Sequence, residues 1–237
     1  MGRGRLPGAV AFAPLFIVAA CARSAGGPEL RPPLPVGPAS EPEVAIGPPR
    51  PDPSDLEVAW AKDLPALEVE CANTGAKAAI RLYRRDGAID PEATEAFALT
   101  AADSNGPHPL HERLLQLVVK TAHHFNAKNL TVVSGYRKPR GRAEDHHTKG
   151  EALDFRLQGI DYRKLAAYLR SLPRVGVGVY TDPRTHYVHL DVRDRSFHWL
   201  DASPPGVVWR EAALPDAKQA ARDAAYTEES DLPVDAP

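Results

Sequence analysis

The most restrictive feature of this 237-residue chain is the uneven distribution of its prolines. Ten of the 24 prolines lie between Pro28 and Pro53. Proline removes a backbone donor and fixes φ, so such a segment favours neither a helix nor a central strand. We therefore expect residues 21–56 to form a disordered tether, residues 57–203 to form the folded domain, and residues 204–237 to form a tail with little order.

The first twenty residues have the composition of an export signal. Two early arginines precede an apolar run over residues 9–20 that is too short to cross a bilayer. The sequence Val-Ala-Ala-Cys at 18–21 resembles the lipobox of bacterial lipoproteins, in which the cysteine is acylated. The alternative is an ordinary secretory signal cut near this point. The lipoprotein interpretation predicts an exported, periplasmic protein with a lipid anchor on Cys21. Because Ala22 follows the cysteine, resemblance to Gram-negative lipoproteins favours the outer membrane.

The charge of the chain argues against a nucleic-acid-binding protein, and its cysteine content argues against a fold held by disulfides. The formal net charge is −2, so no strong basic field attracts nucleic acid, and we expect none as a partner. The chain has two cysteines, and if Cys21 carries lipid, Cys71 has no intramolecular partner. A hydrophobic core must therefore hold the fold, which we expect to be monomeric.

Periodic patterns predict a mixture of strands and helices. The strands are expected at residues 67–71, 79–83, 130–135, 151–157, 176–180 and 186–192. The helices are expected from Asp90-Pro91 through Phe97, over 109–126 and over 162–171.

Convergent polar residues collect in Ser134–Arg137, His146–Asp154 and His186–Asp191. Asp154 lies inside a predicted strand, where an unpaired buried carboxylate would be costly. Two imidazoles and a carboxylate from separate segments make a plausible three-ligand zinc site. Such a site leaves a fourth position for water and would supply the charge opposite Asp154.

The order and spacing of these residues resemble one family. The motif His-x-x-Gly-x-Ala-x-Asp occupies residues 147–154, and Val-His-x-Asp occupies 188–191. Ser-Gly-Tyr-Arg at 134–137, Gly-Val-Gly-x-Tyr at 176–180 and a downstream Trp199 accompany them. Together they resemble the zinc peptidases of bacterial peptidoglycan, the superfamily of lysostaphin, D-Ala-D-Ala peptidases and sonic hedgehog. The murein endopeptidase K group is the most similar group within it.

This resemblance implies roles for individual residues. His147, Asp154 and His189 become the ligands of one zinc ion. Arg137 becomes the cation that binds substrate and the developing oxyanion. The general base is either Asp191, which shares a strand face with His189, or His186. We favour Asp191, because His186 would point to the other face of an unbroken strand.

The resemblance implies an α+β fold with a small, mainly antiparallel sheet that carries the zinc site and is flanked by helices. It also implies a zinc-dependent hydrolase that cleaves amide bonds of murein stem peptides, as an endopeptidase or a carboxypeptidase, by metal-activated water. The alternative is a non-catalytic, zinc-containing lipoprotein that binds peptidoglycan.

The chain departs from the family pattern at three positions. It has Asp145 where a serine is usual, and His146 beside the first ligand makes an exchange of ligands conceivable. It also has Arg193 in the segment after Asp191, where relatives carry a glycine.

Overall fold

The computed structural model describes residues 57–103, 106–139, 144–204, 207 and 211–234. The predicted export signal, the Cys21 anchor and the tether lie outside the described residues. The strands are β1 Leu67–Cys71, β2 Lys77–Ile80, β3 Asn129–Ser134, β4 Ala152–Leu157, β5 Val175–Tyr180, β6 Val188–Val192, β7 Phe197–Asp201 and β8 Ala212–Ala213. The α-helices are α1 Ala59–Asp63, α2 Pro91–Thr100, α3 Glu112–His124, α4 Tyr162–Leu169 and α5 Gln219–Ala224. Among the described residues, none of the helices combines the length and apolar character that a membrane span requires.

The eight strands of the described ranges form one sheet in the order β2-β1-β3-β4-β6-β5-β7-β8. The pairs β1–β3 and β5–β7 are parallel, and the other neighbouring pairs are antiparallel. The α+β class is confirmed, but the prediction of a small, mainly antiparallel sheet is wrong, because the sheet is mixed. The connection from β1 to β3 contains α2 and α3 and is long enough to return the chain to the same end of the sheet.

One face of the sheet packs against helices, and the other carries Asp154. Register partners have their side chains on the same face, so the pairs Leu153–Leu190 and Phe155–Val188 share one face. These four side chains are completely buried, and α3 and α4 contact the strands that carry them. The alternate residues, including Asp154, leave the opposite face.

Capping and periodicity account for the helices. The Asp90 side chain accepts from the Glu92 backbone at 3.0 Å and Pro91 fills the first turn of α2, which continues three residues beyond the predicted Phe97 to Thr100. Helix α3 buries one apolar side, as its spacing predicts. Its ends, like those of α4, lie within a few residues of the expected bounds.

The C-terminal tail contains more regular structure than its composition predicts. It contributes β8, α5 and a 3-10 helix over Glu228–Asp231. Arg113 Nε lies 2.8 Å from Asp231 Oδ2, and the Ser196 backbone donates to Asp223 Oδ2 at 2.8 Å. Such ion pairs and hydrogen bonds hold the tail on the domain, and they have no periodic signal in the sequence.

Candidate metal centre and active site

The three predicted metal ligands converge from separate segments of the chain. His147 begins a 3-10 helix over His147–Lys149, Asp154 lies within β4, and His189 lies within β6. Asp154 and His189 are register partners on antiparallel neighbours, so their side chains leave the same face of the sheet. The turn that carries His147 packs against that face.

Their donor atoms lie close together. His189 Nδ1 is 2.9 Å from Asp154 Oδ1, and His147 Nε2 is 3.4 Å from the same oxygen. The two histidine nitrogens are 3.1 Å apart. All three residues are buried, and within the described ranges they form the one group of His, Cys, Asp or Glu side chains with a spacing that could hold a metal ion.

Further contacts orient both imidazole rings. His147 Nδ1 lies 2.7 Å from the Gly135 carbonyl oxygen, which can only accept, so Nδ1 carries a proton and Nε2 keeps a lone pair. His189 Nε2 lies 2.8 Å from Asp191 Oδ2, so its Nδ1 is the nitrogen available to a metal. Two imidazole nitrogens and a carboxylate oxygen therefore face one another, an arrangement that suits a cation between them.

Electrostatics keep the cluster charged despite its burial. Burial by itself raises the pKa of Asp154, but hydrogen bonds from His147 and His189 outweigh it and hold that pKa well below its usual range. Burial lowers the pKa of His189, whereas hydrogen bonds to Asp154 and Asp191 raise it, with a net pKa of about 9. In the metal-free protein His189 is thus protonated at neutral pH, and a metal ion must displace that proton.

Arg137 is the exposed cation at the edge of this cluster. Its Nε donates to Ser134 Oγ at 2.9 Å, and its Nη2 donates to Asp154 Oδ2 at 2.5 Å. The Arg137 side chain is 44% exposed, whereas that of Asp154 is 1% exposed. The guanidinium therefore lies where the buried ligands meet solvent, a position from which it can contact an anionic group of a substrate.

Asp191, the favoured candidate for the general base, is fully buried and bound on both oxygens. Oδ2 lies 2.8 Å from His189 Nε2 and 2.7 Å from Arg193 Nη2, and Oδ1 accepts from Arg193 Nε. Burial raises the pKa of this carboxyl, but hydrogen bonds from His189 and Arg193 lower it to about 2. Asp191 thus contacts the ring nitrogen of His189 that does not face the other two ligands.

The other candidate base and the extra histidine lie apart from the ligands. His186 has a left-handed backbone (φ 40°), and its ring stacks on Tyr162 with the centroids 4.6 Å apart. His146 Nδ1 lies 2.9 Å from Glu151 Oε2, and its Nε2 lies 3.9 Å from Asp191 Oδ1. The His146 ring is therefore directed toward Glu151 and Asp191, and the structure brings His147 into the cluster instead.

Two glycines of β5 make space for side chains on the site face. A Cβ added at Gly176 would overlap the carboxylate of Asp191 and Nε of Arg193. A Cβ added at Gly178 would lie 2.6 Å from the Trp199 ring. The family motif contains both glycines without revealing this role. The alternation of glycine with core-facing valine along β5 is the sequence signal that could have revealed it.

A third glycine determines the turn that precedes β4. Gly150 has a φ of 72°, and a Cβ at this position would collide with the Pro109 carbonyl oxygen. Its own carbonyl accepts from the His111 backbone at 2.9 Å. This close contact with the segment before α3 holds the turn that carries His147.

Comparison with known proteins identifies relatives of the domain. The family model described as peptidoglycan L,D-endopeptidase MepK matches residues 59–199. Peptidoglycan L,D-endopeptidase MepK of Escherichia coli (strain K12) is 35% identical over 83 residues, which cover 30% of this chain and 44% of that protein. The probable peptidoglycan L,D-endopeptidase MepK of Haemophilus influenzae is 30% identical over 101 residues, which cover 37% of this chain and 53% of that protein. The chain thus spans about half the length of these curated relatives. No solved structure matches it.

The match to the family model extends over more than half of the chain. The matched residues include His147, Asp154 and His189, together with Arg137 at the edge of the cluster. The chain therefore belongs to the peptidoglycan L,D-endopeptidase MepK family.

Proposed function

We propose that this protein is a zinc-dependent hydrolase that cuts amide bonds in the peptide part of peptidoglycan. The observation that carries the proposal is the convergence of His147 Nε2, Asp154 Oδ1 and His189 Nδ1 on one buried point beside Arg137. Family membership supports the substrate class.

The donor set suits zinc. Zinc accepts imidazole nitrogen and carboxylate oxygen, and catalytic zinc sites typically have three protein ligands with an open position. His147, Asp154 and His189 would hold the ion, and Gly135 and Asp191 fix the ring orientations that their lone pairs require. When bound, zinc would supply Lewis acidity toward water and toward the substrate carbonyl.

The residues of the chain itself divide the remaining tasks. Arg137 can stabilise negative charge that develops on the carbonyl oxygen, because it is partly exposed and already lies against the ligand cluster. Both carboxylate oxygens of Asp191 are occupied by contacts with His189 and Arg193. We therefore assign Asp191 the role of positioning the His189 ring.

The proton acceptor is then assigned to His186, the second candidate base. His186 lies in the turn that leads into β6, three residues before His189, and its ring stacks on Tyr162. Its action requires the ring to leave Tyr162 and turn toward the ligand cluster. Loss of a general base lowers kcat by about 100-fold or more. We expect His186→Ala to lose activity to that extent while it keeps bound zinc, whereas Asp191→Asn loses zinc first. If Asp191→Asn instead lost activity while it kept zinc, and His186→Ala stayed active, Asp191 would be the base.

The experiment combines metal analysis with product analysis. The purified full chain is analysed for zinc and incubated with peptidoglycan, with and without a chelator, and the soluble products are identified by mass spectrometry. We expect one zinc ion per chain and products that each gain one water across a peptide amide. Chelation should abolish them, and added zinc should restore them.

The controls separate catalysis from binding. His147→Ala removes a ligand, whereas Arg137→Gln keeps the ligands and removes the exposed cation. The first variant should lose both zinc and products, and the second should lose products while it keeps zinc. A wild-type protein that binds zinc and peptidoglycan but releases no product would instead support the non-catalytic binding lipoprotein.

We further propose export and acylation on Cys21, on the sequence evidence alone. Substitution of Cys21 by alanine should move the protein from the membrane fraction to the soluble periplasmic fraction of a Gram-negative host. A protein that remains soluble with Cys21 intact would contradict the anchor.

A further inference from the structure

A row of side chains crosses the sheet beside the metal ligands. Tyr180 and Asp201 are register partners on β5 and β7, and the Tyr180 backbone donates to the Tyr187 carbonyl at 3.2 Å. The β7–β8 pairing places Glu211 opposite Asp201, and Arg156 follows Asp154 by two residues on β4. Side chains two residues apart on a strand share a face, so this cross-strand row lies on the same face as the ligands. Its order is Arg156, Tyr187, Tyr180, Asp201, Glu211.

Charge is distributed unevenly along the cross-strand row. Arg156 lies at one end, on the same side as Arg137, and the two acids lie at the other. The Tyr180 and Tyr187 rings stack between them with their centroids 4.3 Å apart. Burial is the main cause that raises the pKa of both tyrosines, whereas the two arginines act to lower the pKa of Tyr187, and Asp201 and Glu211 add to the rise at Tyr180.

Both ends of the row are open to a ligand. Arg156 is exposed and lines an open groove of about 570 Å³ together with Glu70, Thr131 and His186. At the other end, partial burial and the neighbouring Asp201 raise the pKa of Glu211. Two adjacent carboxylates that disfavour each other's charge are stabilised by a cation between them.

A buried donor lies next to the row. Trp199 is 6% exposed, and its Nε1 has no hydrogen-bond partner among the described residues. The ring lies over Gly178, between the ligand His189 and the start of the acidic end. The Nε1 atom is itself closed to solvent, so the indole acts as a packed wall beside the row.

We propose that the substrate peptide lies across the strands along the cross-strand row, with a carboxylate at Arg156 and a free ammonium group at Asp201 and Glu211. The tyrosine pair forms the floor, and the Trp199 indole forms a wall beside it. The inference rests on the proposed peptidase function and names its substrate class. The substrate carries an anionic group and a free amine on opposite sides of the bond that is cut.

The test measures binding separately from cleavage. The probe is a cross-linked stem peptide released from purified peptidoglycan, compared with the same peptide acetylated on its free amines. Affinities are measured by calorimetry on the chelator-treated full chain, whose fold is checked by circular dichroism. The double variant Asp201→Asn, Glu211→Gln is compared with Glu95→Gln, an exposed acid of α2 away from the row.

Wild type and the Glu95 control should bind the free-amine peptide about 2- to 5-fold more tightly than the acetylated peptide, because one exposed ion pair is lost on acetylation. The double variant should bind both peptides with the same weaker affinity. A wild type that does not distinguish the peptides, or that binds neither, overturns the inference, as does a double variant that still prefers the free amine. The ratio of KM values for the two peptides on the zinc-loaded protein gives the same comparison if chelation alters the fold.

The arginine end is tested in the same way. Arg156→Gln should weaken the binding of the peptide with a free carboxylate and leave the binding of an amidated peptide unchanged. Lys128→Gln is the exposed control. Charge-selective binding without cleavage would contradict the peptidase function and keep the inference. Cleavage by variants that have unchanged affinities would support the peptidase function and contradict the inference.

Discussion

Asp154 on β4 and His189 on β6 are register partners whose Oδ1 and Nδ1 atoms lie 2.9 Å apart. The sheet hydrogen bonds that pair the two strands therefore also set the distance between two of the proposed metal ligands. His147 completes the group from a turn, with its ring held by the Gly135 carbonyl. Because the backbone determines this spacing, the site is organised before a metal binds.

Removal of the central carboxylate should abolish metal binding. Asp154→Ala deletes the oxygen that both histidines contact, so we expect zinc affinity to fall by more than about 100-fold. The measurement is competition with a chromophoric chelator, with Asp63→Ala, an exposed acid at the end of α1, as the control. Retention of stoichiometric zinc by Asp154→Ala would place the metal elsewhere.

Asp191→Asn should weaken zinc binding without removing a ligand. The amide can still contact His189 Nε2 but no longer carries the charge that orients and polarises the ring, so a 10- to 100-fold loss of affinity is expected. The exposed Asp194→Asn is the matched control three residues away. A variant with wild-type zinc affinity but no activity would indicate that Asp191 acts on substrate or water.

Zinc binding should release a proton from His189 at neutral pH. The pKa of this imidazole is about 9 in the metal-free protein, so His189 is protonated at pH 7 and the apparent zinc affinity should rise about tenfold per pH unit from pH 7 to 9. Above pH 9 this dependence should level off. Calorimetry in buffers with different ionisation enthalpies measures the released protons, and a pH-independent affinity over that range would contradict the prediction.

Gly178→Ala should destabilise the domain by forcing Trp199 from its position. Overpacking of this kind costs about 1–3 kcal/mol, because the new Cβ would lie 2.6 Å from the ring. The free energy of unfolding is measured by denaturant titration. In a Trp199→Leu background the same substitution should cost clearly less, and an unchanged cost would indicate backbone strain rather than the ring.

His198 should make the protein sensitive to acid. Its side chain is buried and accepts from Arg170 Nε through Nδ1 at 3.3 Å, and burial together with that arginine lowers its pKa to about 4. The unfolded state has a pKa near 6.5 and gains a proton first, so stability is full above pH 6.5 and is lost as the pH falls through 4. The loss should be on the order of 2 kcal/mol. His198→Gln should remove it, and equal acid sensitivity of the variant would assign the effect to other groups.

Local patterns in the sequence predicted most elements of this fold. The caps and apolar spacings of α2, α3 and α4 identify these helices to within a few residues, because a helix depends on contacts three and four residues apart. The strand β2 is shifted, since Lys77–Ile80 pairs with β1 whereas Tyr83, at the end of the predicted strand, bridges to Ile89 instead. The alternating pattern over residues 79–83 did not distinguish pairing with β1 from the bridge to Ile89.

The proposed ligands His147, Asp154 and His189 were recognisable because their residue types and spacing form ordered motifs, and a strand period of two places the Asp154 carboxylate on one face. Their environment was not recognisable in the same way. Arg193 is only two residues from Asp191 in sequence. Only the tertiary structure shows that its guanidinium occupies the Asp191 carboxylate and that the pair lies over Gly176.

The sequence by itself determined most of the helices and strands and which side chains can bind a metal, because these properties depend on neighbours along the chain. Only the tertiary structure decided the mixed strand order, the docking of the tail through Asp231 and the alignment of Arg156 with Asp201 across four strands. Those features depend on pairing between residues far apart in sequence, and neither residue of such a pair carries a local mark of its partner.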